Sequence, residues 1–310
     1  MSLSALDPRA AARRSADAEP RLRCRQLGPA DFDAVVRLLC QGFSERTAAY
    51  WRVGLQRMAV RPSPNGVPRF GYVLDLGGEV VGVLLTIYST AGDVEGAPLR
   101  CNLSSWYVDP RVRGAGVLLD SFAMSDRSVT YLNASPAPHT LPMHEARGFR
   151  RLGRGLLLAL PALSRPGRGQ RVRRWVDGRD QGLTAHDTAL AREHIGYGCL
   201  CVVCTDAQGA RLAIFVRRTL QLLPDRAPAL RVPCLQLIYG PVGSEFSTWA
   251  GALGRHLLGR LMPLVLLDVE SPLPGVTGRY FPDRKPRCVR GPHPAPVGDL
   301  TATEIAVFGP

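Results

Sequence analysis

Apolar positions along this chain switch repeatedly between a spacing of two and a spacing of three to four residues. The first marks a strand with one buried face, the second an amphipathic helix. Arg23–Gln26 is a short strand candidate. Asp31–Cys40, with Phe32, Val35, Val36, Leu38 and Leu39, has helical spacing, and Thr47–Met58 is a second helix. After the Pro/Gly-rich loop Arg61–Pro68, the segments Phe70–Leu76 and Glu79–Ser89 flank Gly77-Gly78, which predicts a β-hairpin. Leu99–Val108 is a strand, Val117–Arg127 a helix and Val129–Ala134 a strand. His139–Arg147 is a helix stopped by Gly148. Phe149–Leu160 supplies one more strand or hairpin.

The plan then recurs. Helix Ala185–Ile195 precedes a hairpin, Cys199–Arg217, that turns at Asp206–Gly209. Strand Val232–Tyr239, helix Phe246–Leu261 and strand Leu264–Val269 follow. The second helix carries Phe246, Trp249, Leu253, Leu257 and Leu261 on one stripe. Hairpin, strand, helix, strand in both halves predicts a tandem duplication. The expected division is a flexible tail over 1–22, a first domain over 23–163, a Pro/Gly/Arg-rich linker over 164–180 and a second domain over 181–310. A length of 310 residues suits two domains of roughly 150 each.

Composition narrows the classes. With 45% hydrophobic and 21% charged residues the chain can bury a core, so disorder is excluded as its general state. The net charge of +13 is carried almost wholly by arginine, Lys285 being the single lysine. That usage suggests a GC-rich bacterial genome. The arginines are scattered, not gathered in a block with aromatics, which disfavours nucleic acid as a partner. No apolar run approaches the roughly 18 residues of a membrane span. No secretory signal is present, so the expected location is the cytoplasm, with reduced thiols. Cys199, Cys201 and Cys204 sit in a strand whose alternation sends the first two to one face and the third to the other. No Cys/His pair follows at zinc spacing, so they read as buried thiols and no metal is expected.

The segment Arg111-Val112-Arg113-Gly114-Ala115-Gly116 joins a strand to a helix. Glycines there allow a tight turn and close approach of a ligand to the backbone. Amides at the helix start, the helix dipole and two arginines make an anion site suited to a pyrophosphate. The P-loop pattern and the dinucleotide pattern are both missing.

The spacing R-x-x-G-x-G at Arg111, Gly114 and Gly116, after a strand ending Val108-Asp109-Pro110, resembles motif A of the GCN5-related N-acetyltransferases (GNAT). Strand Val129–Ala134 and helix His139–Arg147 with Gly148-Phe149 are similar to that family's next strand and helix. The whole chain resembles a bacterial, two-lobed acyltransferase-like group through Asn102–Val108, Val129–Thr140 and Gly298–Phe308. The resemblance implies tandem GNAT-like domains, each a twisted mixed sheet flanked by helices, the second copy degenerate. It implies acetyl-CoA or a longer acyl-CoA as donor, bound by Tyr107, Val108, Arg111, Val112, Arg113, Gly114, Ala115 and Gly116. The acceptor would be a small-molecule or peptide amine (or a hydroxyl), attacking directly in a ternary complex. A catalytically silent CoA-binding regulator and an aminoacyl-tRNA-dependent transferase are the competing readings.

Three residues are singled out for the chemistry. His144 stands where the family places a tyrosine that protonates the leaving thiolate. Asn133 and Ser105 lie on the two strands expected to line the cleft, as does Ser104. No Asp or Glu occurs in Asn102–Tyr107, so a strand carboxylate serving as base is missing. In the second half, Gly240–Glu245 replaces the glycine loop without an arginine, and Glu245 would repel phosphate. That copy is therefore expected not to bind CoA. Tyr239, Asp268, Arg279, Tyr280 and Glu304 stand near strand ends there as candidate acceptor contacts. The oligomeric state has no sequence signature.

Overall fold

The structure, a computed structural model, describes residues 21–90, 92, 96–179, 181–221 and 231–309. The expected tail lies outside these apart from Arg21 and Leu22. The first half contains β1 (Leu22–Gln26), α1 (Phe32–Gly42), α2 (Ala48–Val60), β2 (Gly71–Leu76), β3 (Glu79–Thr90) and β4 (Leu99–Val108). After it come α3 (Gly116–Ala123), β5 (Thr130–Asn133), α4 (Leu141–Ala146), β6 (Arg150–Leu152) and β7 (Gly155–Ala159). The second half contains β8 (Arg171–Arg174), α5 (Ala185–Gly196), β9 (Leu200–Asp206), β10 (Gly209–Gln221) and β11 (Arg231–Tyr239). It ends with α6 (Gly243–Leu258), β12 (Val265–Val269), β13 (Gly278–Pro282), β14 (Arg287–Arg290) and α7 (Glu304–Val307).

Local chemistry sets these boundaries. Thr47 caps α2 by accepting the Tyr50 N–H at 3.2 Å, and Thr184 caps α5 by accepting the Asp187 N–H at 3.0 Å. Gly148, at φ +80°, follows α4 in the conformation that ends a helix. Helix α3 stops at Ala123, short of the expected Arg127. Asp126 instead accepts the Ser128 N–H at 2.8 Å, a local turn that competes with helix.

The strands form two seven-stranded mixed sheets, ordered β1-β2-β3-β4-β5-β14-β6 and β13-β7-β12-β11-β10-β9-β8. In each, one central pair is parallel, β4 with β5 and β11 with β12. The sheets correspond strand for strand, and each borrows its sixth strand from the other half. Strand β7 pairs with β12 and β13 in the second sheet, and β14 pairs with β5 and β6 in the first. The sheets therefore do not divide at the expected 164–180 linker. That stretch itself contributes β8, paired with β9. Periodicity predicts a strand but not its partner, which is why Phe149–Leu160 reads as one hairpin yet splits between two sheets.

Each sheet is covered on both faces. In the second, α6 lays Phe246, Trp249, Leu253 and Leu257 on Phe215, Leu235, Leu237 and Leu267. Each such side chain contributes about 1.5–3 kcal/mol when fully buried. The inner face of the same sheet meets α5 and the C-terminal segment through Ile214, Ile238, Leu300, Ile305 and Ala306. Cys199 and Cys201 lie in this inner cluster and Cys204 in the outer one, and burial pushes each thiol up to about 12. The chain's end reaches back to the first sheet. Phe308 packs on α2 so closely that a Cβ at Gly54 would clash with its ring.

Candidate functional site

Strands β4 and β5 pair at only three positions: Arg100 with Thr130, Cys101 with Tyr131 and Asn102 with Leu132. Beyond Asn102 they part. Strand β4 runs on to Val108, and among the described residues no main-chain group outside β3 bonds Leu103–Val108. Past Asn102 this edge of β4 has no strand partner on the β5 side.

The register between β3 and β4 slips between Val83 and Leu85, where Ser104 and Tyr107 are the neighbouring partners. Ser105 takes up the extra residue with φ +51°, rare for a side chain of this type. Its hydroxyl lies 2.9 Å from that of the buried Ser104. Such a bulge leaves the extra residue unpaired in the ladder. Tyr107, two residues on, packs against Gly42 at the end of α1, where no Cβ would fit. Val108 and Trp106 pack beneath Gly116.

The loop Pro110–Ala115 is wound as tight three-residue turns broken at Val112. Several of its donors are used internally. Asp109 accepts the Arg111 N–H at 2.8 Å and, through its main-chain oxygen, the Val112 N–H at 3.0 Å, and the Gly116 N–H reaches Arg113 O. The Arg111 guanidinium is engaged by Asp109 at 2.9 Å and by Glu79 at 2.6 Å. That pairing holds the Asp109 carboxyl below the usual carboxylate range. Arg113 makes no ion pair among the described residues. A Cβ at Gly114 would meet nothing within 4 Å, so the loop faces open space at that residue.

On the α3 face of the first sheet, His144 is 3% exposed and stacks edge-on to Phe149 at 5.0 Å. Its Nε2 lies 3.1 Å from Asn133 Nδ2. Asn133 Oδ1 accepts the Ser135 N–H at 3.2 Å, which orients the amide so that Nδ2 donates. His144 therefore carries its proton on Nδ1, a buried atom without a partner. Burial pushes its pKa below the ordinary histidine value, so the ring is neutral at pH 7. Asn133 and His144 are thus brought into contact, whereas Ser105 lies apart on the bulge. The nearby Asp120 of α3 pairs with Arg147.

The opposite face holds a group from the other end of the chain. Glu304 of α7 accepts from Asn102 Nδ2 at 2.6 Å and from the Ser135 hydroxyl. Asn102, only 2% exposed, is the last residue of β4 paired with β5, so this carboxylate stands at the point where the strands diverge. Sequence reading placed Glu304 among strand-end polar groups and missed Asn102 and Ser135. Asn102 and Glu304 stand 202 positions apart, and nothing local signals their contact. The other second-half candidates serve elsewhere. Tyr239 donates to Asp187 at 2.8 Å, Arg279 stacks on Phe281, and Tyr280 donates to Glu270 O at 3.4 Å. Asp268 is buried against Arg287. Behind the divergence, a cavity of about 410 Å³ between the sheets is lined by Arg100, Asn102, Glu193, His194, Thr303 and others.

In the second sheet the equivalent region is occupied. Gln236 donates to Asp268 at 3.1 Å across β11 and β12, and Arg287 grips Asp268 at 2.6 and 2.8 Å. The C-terminal segment bonds β11 past its last β12 partner, from Leu300 N to Ile238 O at 2.9 Å. In the loop, Glu245 pairs with Arg211.

No family model matches the chain, and no curated protein does. Solved structures do. A GCN5-related N-acetyltransferase from Anabaena variabilis superposes with a TM-score of 0.56 at 12% identity, over 87% of this chain and 72% of that one. One from Kribbella flavida gives 0.53 at 15% identity, over 93% and 74%. A probable N-acyltransferase from Enterococcus faecalis gives 0.52 at 11% identity, over 90% and 73%. At these identities the likeness concerns the fold. The chain has the GNAT fold in tandem, spread over most of its length. No helix among the described residues is long and apolar enough to cross a membrane.

Proposed function

We propose that this protein transfers an acetyl or longer acyl group from acyl-CoA to an amine or hydroxyl acceptor, by direct attack in a ternary complex. The observation that carries the reading is the gap between β4 and β5, three paired positions long at its closed end and open beside the glycine loop. The gap accepts an extended thioester arm. The open face at Gly114 leaves room for the donor's pyrophosphate beside Arg113, Ala115 and Gly116. Arg111 and Val112 have their amides on Asp109, and Gly116 has its amide on Arg113 O, so these three shape the loop and Arg113, Gly114 and Ala115 bind.

The chain's own groups then divide the work. Amides at the Ser105 bulge, up to Tyr107 and Val108, stabilise the oxyanion as the acceptor nitrogen bonds to the acyl carbon. Glu304 takes the proton that the nitrogen sheds, replacing the carboxylate that β4 lacks. Asn102 and Ser135 hold that carboxylate in place. Neutral His144, its Nδ1–H buried, holds Asn133 through Nε2 as the carbon–sulfur bond breaks. It cannot give the proton up, because that would leave an imidazolate, so water protonates the thiolate. Eight free cysteines suit a reducing compartment such as the cytoplasm.

Release of CoA thiol from acetyl-CoA, followed over a panel of amines, tests the reading. Thiol release that depends on the amine and is lost in Gly114→Glu supports it. Acyl-CoA binding with no release for any amine or alcohol contradicts it.

A further inference from the structure

The cavity behind the divergence of β4 and β5 is built from three parts of the chain. Its floor is the first sheet, where Arg100 and Asn102 of β4 pair with Thr130 and Leu132 of β5. Its roof is α5, which contributes Glu193. Its rim holds Arg61, the residue after α2, and Asp299 of the C-terminal segment. Arg61 is tied to the floor: its Nη1 donates to Tyr88 O at 2.8 Å, and Tyr88 pairs with Cys101, the residue between Arg100 and Asn102. At about 410 Å³ the space suits a small molecule.

Leaving two histidines aside, four charged side chains line this space, and their charges cancel. Arg61 lies 3.5 Å from Glu193, and Arg100 lies 3.0 Å from Asp299. A ligand with a net charge would upset that balance, whereas a zwitterion would not. Hydrogen bonding, by contrast, is incomplete. Among the described residues Arg61 Nε, Arg100 Nε and Asn102 Oδ1 are buried without a hydrogen-bond partner. Asn102 is only 2% exposed and the Arg61 side chain 8%. Polar atoms so deeply buried are almost always paired. The two nitrogens call for acceptors and the amide oxygen for a donor.

Arg100 shows which acceptor fits. Its Nη1 is engaged, on Asp299. Its Nε and Nη2 form the same edge with which Arg287 grips the Asp268 carboxylate, at 2.6 and 2.8 Å. On Arg100 that edge has no partner among the described residues, and a carboxylate matches it with two parallel bonds. The carboxylates already present are engaged elsewhere: Asp299 also accepts the Thr301 hydroxyl at 2.8 Å, and Glu193 the Tyr197 hydroxyl at 2.6 Å. Asn102 lies two residues along the same strand face, roughly 7 Å further on. Its Nδ2 donates to Glu304 at 2.6 Å, so its unpartnered Oδ1 belongs to the side chain that holds the proposed base.

We propose that this cavity binds a small amino acid, its carboxylate on the Nε/Nη2 edge of Arg100 and its ammonium donating to Asn102 Oδ1, and that this molecule is the acyl acceptor. The three unpartnered atoms then meet groups of the matching kind, and the nitrogen stands next to Glu304. The assignment as acceptor rests on the transfer reading above. The amino-acid site itself does not.

Thermal shift with the common α-amino acids and β-alanine, in the absence of CoA, tests the site. Each amino acid is run beside its carboxamide and its des-amino acid, as glycine beside glycinamide and acetate. The expected result is a saturable rise in melting temperature with at least one amino acid and none with its two matched controls. Calorimetry should then show binding of that amino acid weakened about tenfold or more in Arg100→Lys, which keeps a cation for Asp299 but lacks the fork. Binding should be unchanged in Gly114→Glu, and Arg100→Lys without ligand should melt close to wild type. No shift with any amino acid, equal shifts with the matched controls, or binding indifferent to Arg100→Lys overturns the site. In turnover, the amino acid that binds should release thiol from acetyl-CoA with a kcat/KM about tenfold or more above that of its carboxamide, and Arg100→Lys should erase the difference through KM. A carboxamide that reacts as well overturns the acceptor assignment. If the amino acid binds at Arg100 and no amine releases thiol, the transfer reading fails and the site stands.

Discussion

The two lobes share one strand plan but treat the gap at its centre in opposite ways. In the first, β4 leaves β5 after three paired residues, and among the described residues only a side chain, Glu304, crosses to the point of divergence. In the second, β11 leaves β12 as early, yet Gln236, Asp268 and Arg287 cross-link the strands and the C-terminal segment bonds β11 beyond. The loops differ in charge. Both face open space at a glycine, Gly114 and Gly243, but Arg111–Gly116 brings two arginines, whereas Gly240–Glu245 has none and carries Glu245, paired with Arg211. A duplicated frame thus leaves its central strands apart in one copy and cross-links them in the other. The second lobe's C-terminal segment does both jobs, bonding β11 at Leu300 and delivering Glu304 to the first lobe four residues later.

The largest expected effect comes from breaking the filled gap. Arg287→Ala leaves Asp268 buried without its cation and should destabilise the fold by about 3–5 kcal/mol. Because β14 belongs to the first sheet and Asp268 to the second, denaturant unfolding should show both lobes affected in one transition. A loss under about 1 kcal/mol would mean the cross-link is not what closes this gap.

In the open gap the counterpart is chemistry, not stability. Glu304→Gln keeps most of the contacts with Asn102 and Ser135 but removes the base. It should lower kcat by roughly 10²-fold or more with the KM for acetyl-CoA little changed. An unchanged kcat would remove Glu304 from the reaction.

Acid sharpens the comparison least. Burial depresses the pKa of His144, so on acidification the unfolded chain takes up a proton before the folded one does. That part of stability is present above the unfolded value of about 6.5 and is lost as pH falls through it. His144→Phe should flatten the pH dependence of the melting temperature between neutral and mildly acidic pH. An unaltered slope would show that His144 is not held neutral.

Much of the frame was legible in the sequence. Alternation located β2, β3, β9 and β10, and the Phe246–Leu257 stripe located α6 with its core. These signals are local. The partners were not legible, because strand exchange between lobes leaves no mark on periodicity: β7 and β14 look alike whichever sheet takes them. The site divides along the same line. Arg111–Gly116 stood out because a loop's residues are consecutive. Asn102 with Glu304 could not, since that contact is made only when the chain's end meets the first sheet. The arginine loop also held a feature that composition concealed, the pairing of Arg111 with Asp109 and Glu79.

The central claim is that one lobe of two retains the donor site, and calorimetric titration with desulfo-CoA tests it most directly. The account predicts one site per chain, lost in Gly114→Glu with the melting temperature unchanged, since a Cβ there meets no atom within 4 Å. Two sites per chain, or one site that survives Gly114→Glu, would contradict it.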